Sequence, residues 1–165
     1  VYEVVPVVGG AMVDKDYFLQ RLERSLGELR IAWPCEPYEL LATLASLISR
    51  NEIDEGMIYV QITRGIADRE FGFPKDSSPT LMAYAKEAAF LDSPEAREGI
   101  AVMSTPDLRW KRRDIKSVNL LGQVLAKQDA IERGGKEGWM VEDGYITEGV
   151  SSSAYIVKSG VIITR

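Results

Sequence analysis

Lys116 stands at an abrupt change of character within DLRWKRRDIKSVNLLGQVLAKQ, Asp107 to Gln128, where bulky and cationic residues give way to an apolar stretch. A lysine amine held neutral attacks carbonyls and carries protons, work that an ammonium cannot do. The residues SVNLLGQVLAKQDAIERGG read as a helix, with Ser117 or Asn119 as its cap and Gly134 and Gly135 as its stop. A lysine one residue ahead of that helix would lie beside the positive end of its dipole. With partial burial, that position disfavours the ammonium. Taken alone this position is a weak signal, because a lysine at a helix entrance is usually just a solvated surface charge.

Composition narrows the chemistry further. The 165 residues include no histidine, which removes Ser/His/Asp and Cys/His triads and most zinc and haem sites. No metal site is expected. Neither GxGxxG nor GxxxxGK[ST] occurs, so no dinucleotide or P-loop site is indicated. The single cysteine, Cys35 in WPCEPYE, cannot form an internal disulfide and reads as a small loop or core residue. The net charge of −5 argues against nucleic acid, and KRR at Lys111 to Arg113 is too short to reverse that. No apolar run reaches transmembrane length and no secretory leader is visible; with the lone cysteine, a cytoplasmic location without membrane attachment is expected. Catalysis must then rest on Lys, Glu, Asp, Arg, Tyr or Ser, or on a borrowed cofactor. Cofactor chemistry anchored by a lysine survives this elimination.

The elements that must position these groups alternate along the chain. Val1 to Val8 is β-branched and reads as a strand, turned by Gly9-Gly10 into Ala11 to Val13. A helix follows, capped by Asp14 or Asp16, with Phe18, Leu22, Leu26 and Leu29 on one face. Glu36 to Asn51 reads as a second helix, entered through Pro37. Met57 to Thr63 and Thr80 to Lys86 read as strands, and a polar joint falls near Leu91 to Gly99. Ile100 to Ser104 is a short strand ahead of the lysine segment, and hairpins with turns at Asp143-Gly144 and Ser159-Gly160 end the chain.

Three segments in this order resemble one family. YVQITRGIADREFGFP, Tyr59 to Pro74, is similar to its substrate-loop strand, and DIKSVNLLGQVLAKQ to its lysine segment. DGYITEGVSSSAYIV, Asp143 to Val157, is similar to a cofactor-contacting segment built on a TEG tripeptide. The family is the class IV pyridoxal-phosphate-dependent aminotransferases, in particular their D-amino acid aminotransferase branch, and the similarity runs along nearly the whole chain. It implies an α/β (α+β) protein of fold-type IV with two small α/β domains, both incomplete. Residues 1–91 would be the N-terminal domain without its first strands, 92–99 the interdomain linker, and 100–165 the start of the pyridoxal-phosphate-binding domain. Both ends look cut relative to the family, and the missing C-terminal part would include a phosphate-binding turn.

The resemblance also implies roles. Lys116 would form the Schiff base with pyridoxal 5′-phosphate and then move a proton between Cα and C4′. Glu148, in TEG, would face the pyridine nitrogen and keep it protonated. Arg21, in QRLERSL, would reach the cofactor phosphate, with Arg24 as its near neighbour on the same face. Ser151 and Ser152 would hydrogen-bond the cofactor, and Tyr2 would lie near cofactor and substrate carboxylate. Lys111 and Lys127 read as solvated charges. In D-alanine-type members an R-x-H loop grips the substrate carboxylate; here Arg69 keeps the arginine and Phe71 replaces the histidine, which makes the pocket more apolar. Arg64 reads as a strand-end buttress of that loop.

The activity implied is ping-pong transamination between a D-amino acid and a 2-oxo acid, carried out by a homodimer. Two alternatives remain: a lyase of the same family, of the aminodeoxychorismate lyase type, and a cofactor-free fragment that keeps the fold without the chemistry.

Overall fold

The computed structural model describes residues 1–164; Arg165, the last residue of the expected second domain, lies outside the described residues. The chain forms two compact units. One is Val1–Asp92 with Asp114–Val118; the other is Ser93–Arg113 with the residues from Asn119 onward.

In the first unit, strands β1 (Tyr2–Val8), β2 (Ala11–Met12), β3 (Glu55–Thr63) and β4 (Thr80–Glu87) make an antiparallel sheet in the order β2-β1-β3-β4. The β1–β2 turn places Gly9 and Gly10 at φ 57° and 69°, a left-handed pair that glycine adopts without steric cost. Helices α1 (Lys15–Glu28) and α2 (Pro37–Arg50) supply the other layer. Alternation in the strands and three-to-four spacing in the helices send Val5, Val7, Ile58, Val60, Ile62, Phe18, Leu22, Leu26, Leu40, Leu44 and Ile48 into one core. Glu36 and Glu39 close a capping box at the start of α2, and Pro37 occupies its first turn. The alternate strand residues Tyr2, Val4, Tyr59 and Tyr84 are half-buried or exposed.

In the second unit, β5 (Val102–Pro106) runs parallel to β6 (Glu137–Glu142), and helix α4 (Leu121–Glu132) lies between them in sequence. Strand β7 (Tyr145–Gly149) pairs antiparallel with β6, with a register shift between Met140 and Val141. A short helix, α3 (Pro94–Glu98), is capped by the Ser93 hydroxyl, which accepts from Ala96 N at 3.2 Å. Strands β8 (Ile156–Lys158) and β9 (Val161–Ile163) form a separate hairpin. The buried core is small: Ala126, Met140 and Val150.

The expected helix beyond Lys116 starts later than its sequence indicates. It begins at Leu121, its N-cap is Leu120, and neither Ser117 nor Asn119 caps it. The reason lies in the preceding backbone. Ser117 N–H donates to Ile115 O at 2.9 Å, and Lys116 O accepts from Tyr2 N at 3.0 Å. Those groups are spent on a tight turn and on β1, so they are withheld from a helix. Lys116 therefore precedes the first helical residue by a full turn and more, and the dipole argument does not apply to it. The stop is as expected: Gly134 takes φ 84°.

Candidate functional site

Lys116 is carried by the short segment Asp114–Val118, which belongs to the first unit. Two anchors fix this segment. Ile115 is buried, and Arg24 on α1 grips Asp114 twice, Nη1 donating to the backbone oxygen at 2.9 Å and Nη2 to Oδ2 at 2.6 Å. The backbone bond from Tyr2 then sets Lys116 beside the end of β1. Its Nζ lies 4.4 Å from the centroid of the Tyr2 ring. It has no carboxylate partner among the described residues. The Lys116 side chain is thus half-buried against an aromatic face and not committed to an ion pair among the described residues.

The Tyr2 ring continues a row. It stacks on Tyr59 at 5.7 Å, and Tyr59 stacks on Tyr84 at 5.0 Å. Burial first, then the neighbouring Tyr84 and Tyr2, push the Tyr59 phenol above its ordinary pKa. Its hydroxyl therefore stays protonated and donates to Gln61 Oε1 at 2.8 Å.

Arg21 lies one turn before Arg24 and is engaged by Glu3. Its Nε and Nη2 donate to the two carboxylate oxygens at 2.8 and 2.6 Å. Glu3 is fully buried (0%), whereas the Arg21 side chain is 55% exposed. The geometry leaves Nη1 with no hydrogen bond among the described residues. Glu3 was not picked out from the sequence, although the signal was present. It occupies a core-facing position in the alternating strand VYEVVPVV, where a charge demands a partner.

Arg69 and Phe71 lie on the segment between β3 and β4, with the Arg69 guanidinium 5.5 Å from the Phe71 ring and Phe71 94% exposed. The base of this loop is built. Arg64 donates to the carbonyl oxygens of Leu29 and Arg30 at the end of α1 and stacks 3.7 Å over Phe73. Gly65, at φ 108°, passes so close to Ser78 that a Cβ would lie 2.0 Å from its carbonyl oxygen.

The second unit carries Glu148, Ser151 and Ser152. Glu148, on β7, is half-buried; its Oε1 accepts from Ala154 N at 3.2 Å, and its Oε2 makes no hydrogen bond among the described residues. Ser151 and Ser152 both turn their hydroxyls to Glu137 Oε2, the latter at 3.3 Å. Lys127 is not a solvated charge: Nζ donates to Lys136 O at 2.6 Å and lies 3.5 Å from Glu137 Oε1. Elsewhere in this unit the buried carboxylate of Asp107 takes Arg109, Arg113 and the Thr147 hydroxyl, so Arg113 of the basic run and the nearby Arg109 serve one carboxylate. Among the described residues no cluster is suited to a metal ion, and no helix is long and apolar enough to cross a membrane.

Residues 1–165 all match the family described as Amino-transferase class IV. The chain belongs to the class IV aminotransferases. The cofactor that this membership implies is pyridoxal 5′-phosphate. A D-alanine aminotransferase of Staphylococcus aureus is 36% identical over 168 residues, covering 100% of this chain. The chain spans 58% of that relative's length. Among solved structures, the branched-chain amino acid aminotransferase of Escherichia coli superposes with a TM-score of 0.85 at 23% identity, over 99% of this chain and 58% of that one. The branched-chain amino acid aminotransferase of Thermobaculum terrenum in its PLP-bound holo form gives 0.81 at 18% identity, over 99% and 57%. The mixed α/β fold is thus that of the fold-type IV aminotransferases.

Proposed function

We propose that this class IV chain serves a transaminase that exchanges an amino group between a D-amino acid and a 2-oxo acid. The observation that carries the reading is Lys116, pinned by Tyr2 and by the Arg24–Asp114 pair and free of any carboxylate partner among the described residues. Pyridoxal phosphate, when bound, supplies an electron sink for the charge left at a substrate Cα. Lys116 Nζ is the attachment point and the group that takes the Cα proton and returns it. Glu148 fits the partner of the pyridine nitrogen: one oxygen is fixed by Ala154 N–H and the other is uncommitted among the described residues. Arg21 offers a guanidinium held rigid by Glu3, suited to a phosphate.

The D-amino acid preference draws support from the relative at 36% identity, a D-alanine aminotransferase, and from Arg69 on its loop. Phe71 beside Arg69 favours apolar substrates. The working form is a homodimer. A coupled assay of the full-length protein with D- and L-alanine and D- and L-leucine, each with 2-oxoglutarate, tests the reading. Turnover of the D-series is expected. Turnover of L-substrates alone contradicts the D-specific reading, and pyruvate released from 4-amino-4-deoxychorismate in a separate incubation without any amino acceptor points to a lyase.

A further inference from the structure

We infer that Glu137 is a positioning residue for the cofactor-facing turn, and that Ser151 and Ser152 act through it as braces instead of touching the cofactor. This inference rests on the proposed function for its cofactor but not for its structural part. Glu137 is buried at the first position of β6. Four groups converge on its carboxylate. The Ser151 and Ser152 hydroxyls donate to Oε2, Gly138 N donates to Oε1 at 2.7 Å, and Lys127 Nζ stands 3.5 Å from Oε1.

The donor arithmetic decides between brace and ligand. A serine hydroxyl has one proton to give, and both protons here go to Glu137. A cofactor phosphate offers only acceptors, so these hydroxyls cannot donate to it while Glu137 holds them. Burial by itself would raise the Glu137 pKa, but the Ser151 and Gly138 hydrogen bonds and the Lys127 charge outweigh it, and the group stays ionised as an acceptor.

The turn that results is tight. A Cβ on Gly149 would lie 2.4 Å from both the carbonyl and the hydroxyl oxygen of Ser152, so only glycine lets Ser152 fold back over this point. The same turn ends at Ala154, whose N–H fixes Glu148 Oε1. Glu137 therefore sets Glu148 through residues 149–154. The signal was visible in the sequence as the acidic residue that opens EGWMVE, ahead of the apolar Trp139, Met140 and Val141.

The test combines two readouts on E137Q, S151A/S152A and the triple variant of the full-length protein. Without cofactor, amide hydrogen exchange across Val150–Ala154 is expected to speed up in all three variants, about equally. With pyridoxal phosphate, the dissociation constant is expected to rise about tenfold in each, with no further loss in the triple variant. Direct ligation by the hydroxyls predicts the opposite pattern: unchanged exchange, affinity lost in S151A/S152A and kept or improved in E137Q. That pattern overturns the inference. If E137Q does not fold, S151A/S152A alone still decides, since a brace loosens the turn before cofactor is added and a ligand does not. A wild type that takes no cofactor on Lys116 while its turn still loosens in the variants would remove the proposed function and leave the brace standing.

Discussion

Arg21 shows how one side chain can be split between structure and ligand. Glu3 needs it, because a buried carboxylate without a partner costs several kcal/mol. Arg21→Ala is expected to destabilise the protein by about 1–3 kcal/mol in urea denaturation, the loss being moderated by water that reaches the exposed guanidinium. Arg21→Ala/Glu3→Gln should recover most of that stability but none of the cofactor affinity. A double variant as weak as the single one would mean that the loss does not come from the stranded Glu3 carboxylate. At this scale the sequence was partly legible. Lys116, Glu148 and Arg21 could be picked out by motif, but the pairings around them could not, because Glu3 meets Arg21, Asp114 meets Arg24 and Glu137 meets Ser151 across separate stretches of sequence. Arg24, read from spacing as a mere neighbour of Arg21, is the anchor of the lysine segment.

Between elements, the Asp107 cluster ties the end of β5 to β7. Burial would raise the Asp107 pKa, but hydrogen bonds from Arg109 and Thr147 and the Arg109 charge hold it well below the usual carboxylate range. A carboxyl depressed in the folded state adds stability above its unfolded pKa of about 4, and that contribution is lost as pH falls below it. Asp107→Asn is therefore expected to cost about 3 kcal/mol at pH 7, with the two proteins converging in stability as pH drops from about 4 toward 2. Parallel pH profiles of the melting temperature would contradict this. Strands and turns were the most legible elements, since the Gly9-Gly10, Asp143-Gly144 and Ser159-Gly160 pairs all take left-handed φ values that those residue types tolerate. The start of α4 was illegible for a specific reason: the carbonyl of Lys116 is captured by Tyr2, more than a hundred positions earlier, and no local propensity reports that.

Across the molecule, the two units differ in what holds them. The first has a continuous core of large aliphatic residues from both layers, while the second buries little beyond Ala126, Met140 and Val150 and leaves Val157 and Ile162 exposed on its terminal hairpin. Opening free energy follows buried apolar contact. Native-state hydrogen exchange on this chain should find its slowest amides in β1 and β3 and its fastest strand amides in β8 and β9; the reverse order would mean that core size does not govern stability here. The family and its fold could be read from three motifs that resemble it, taken together and in order along the chain. The most direct test of the account is chemical. Full-length protein incubated with pyridoxal phosphate, reduced with borohydride and mapped by mass spectrometry is expected to carry the label on Lys116 alone, and to lose it in Lys116→Ala. Label scattered over several lysines, or retained at wild-type level in Lys116→Ala, would contradict the assignment of Lys116 and the proposed activity with it.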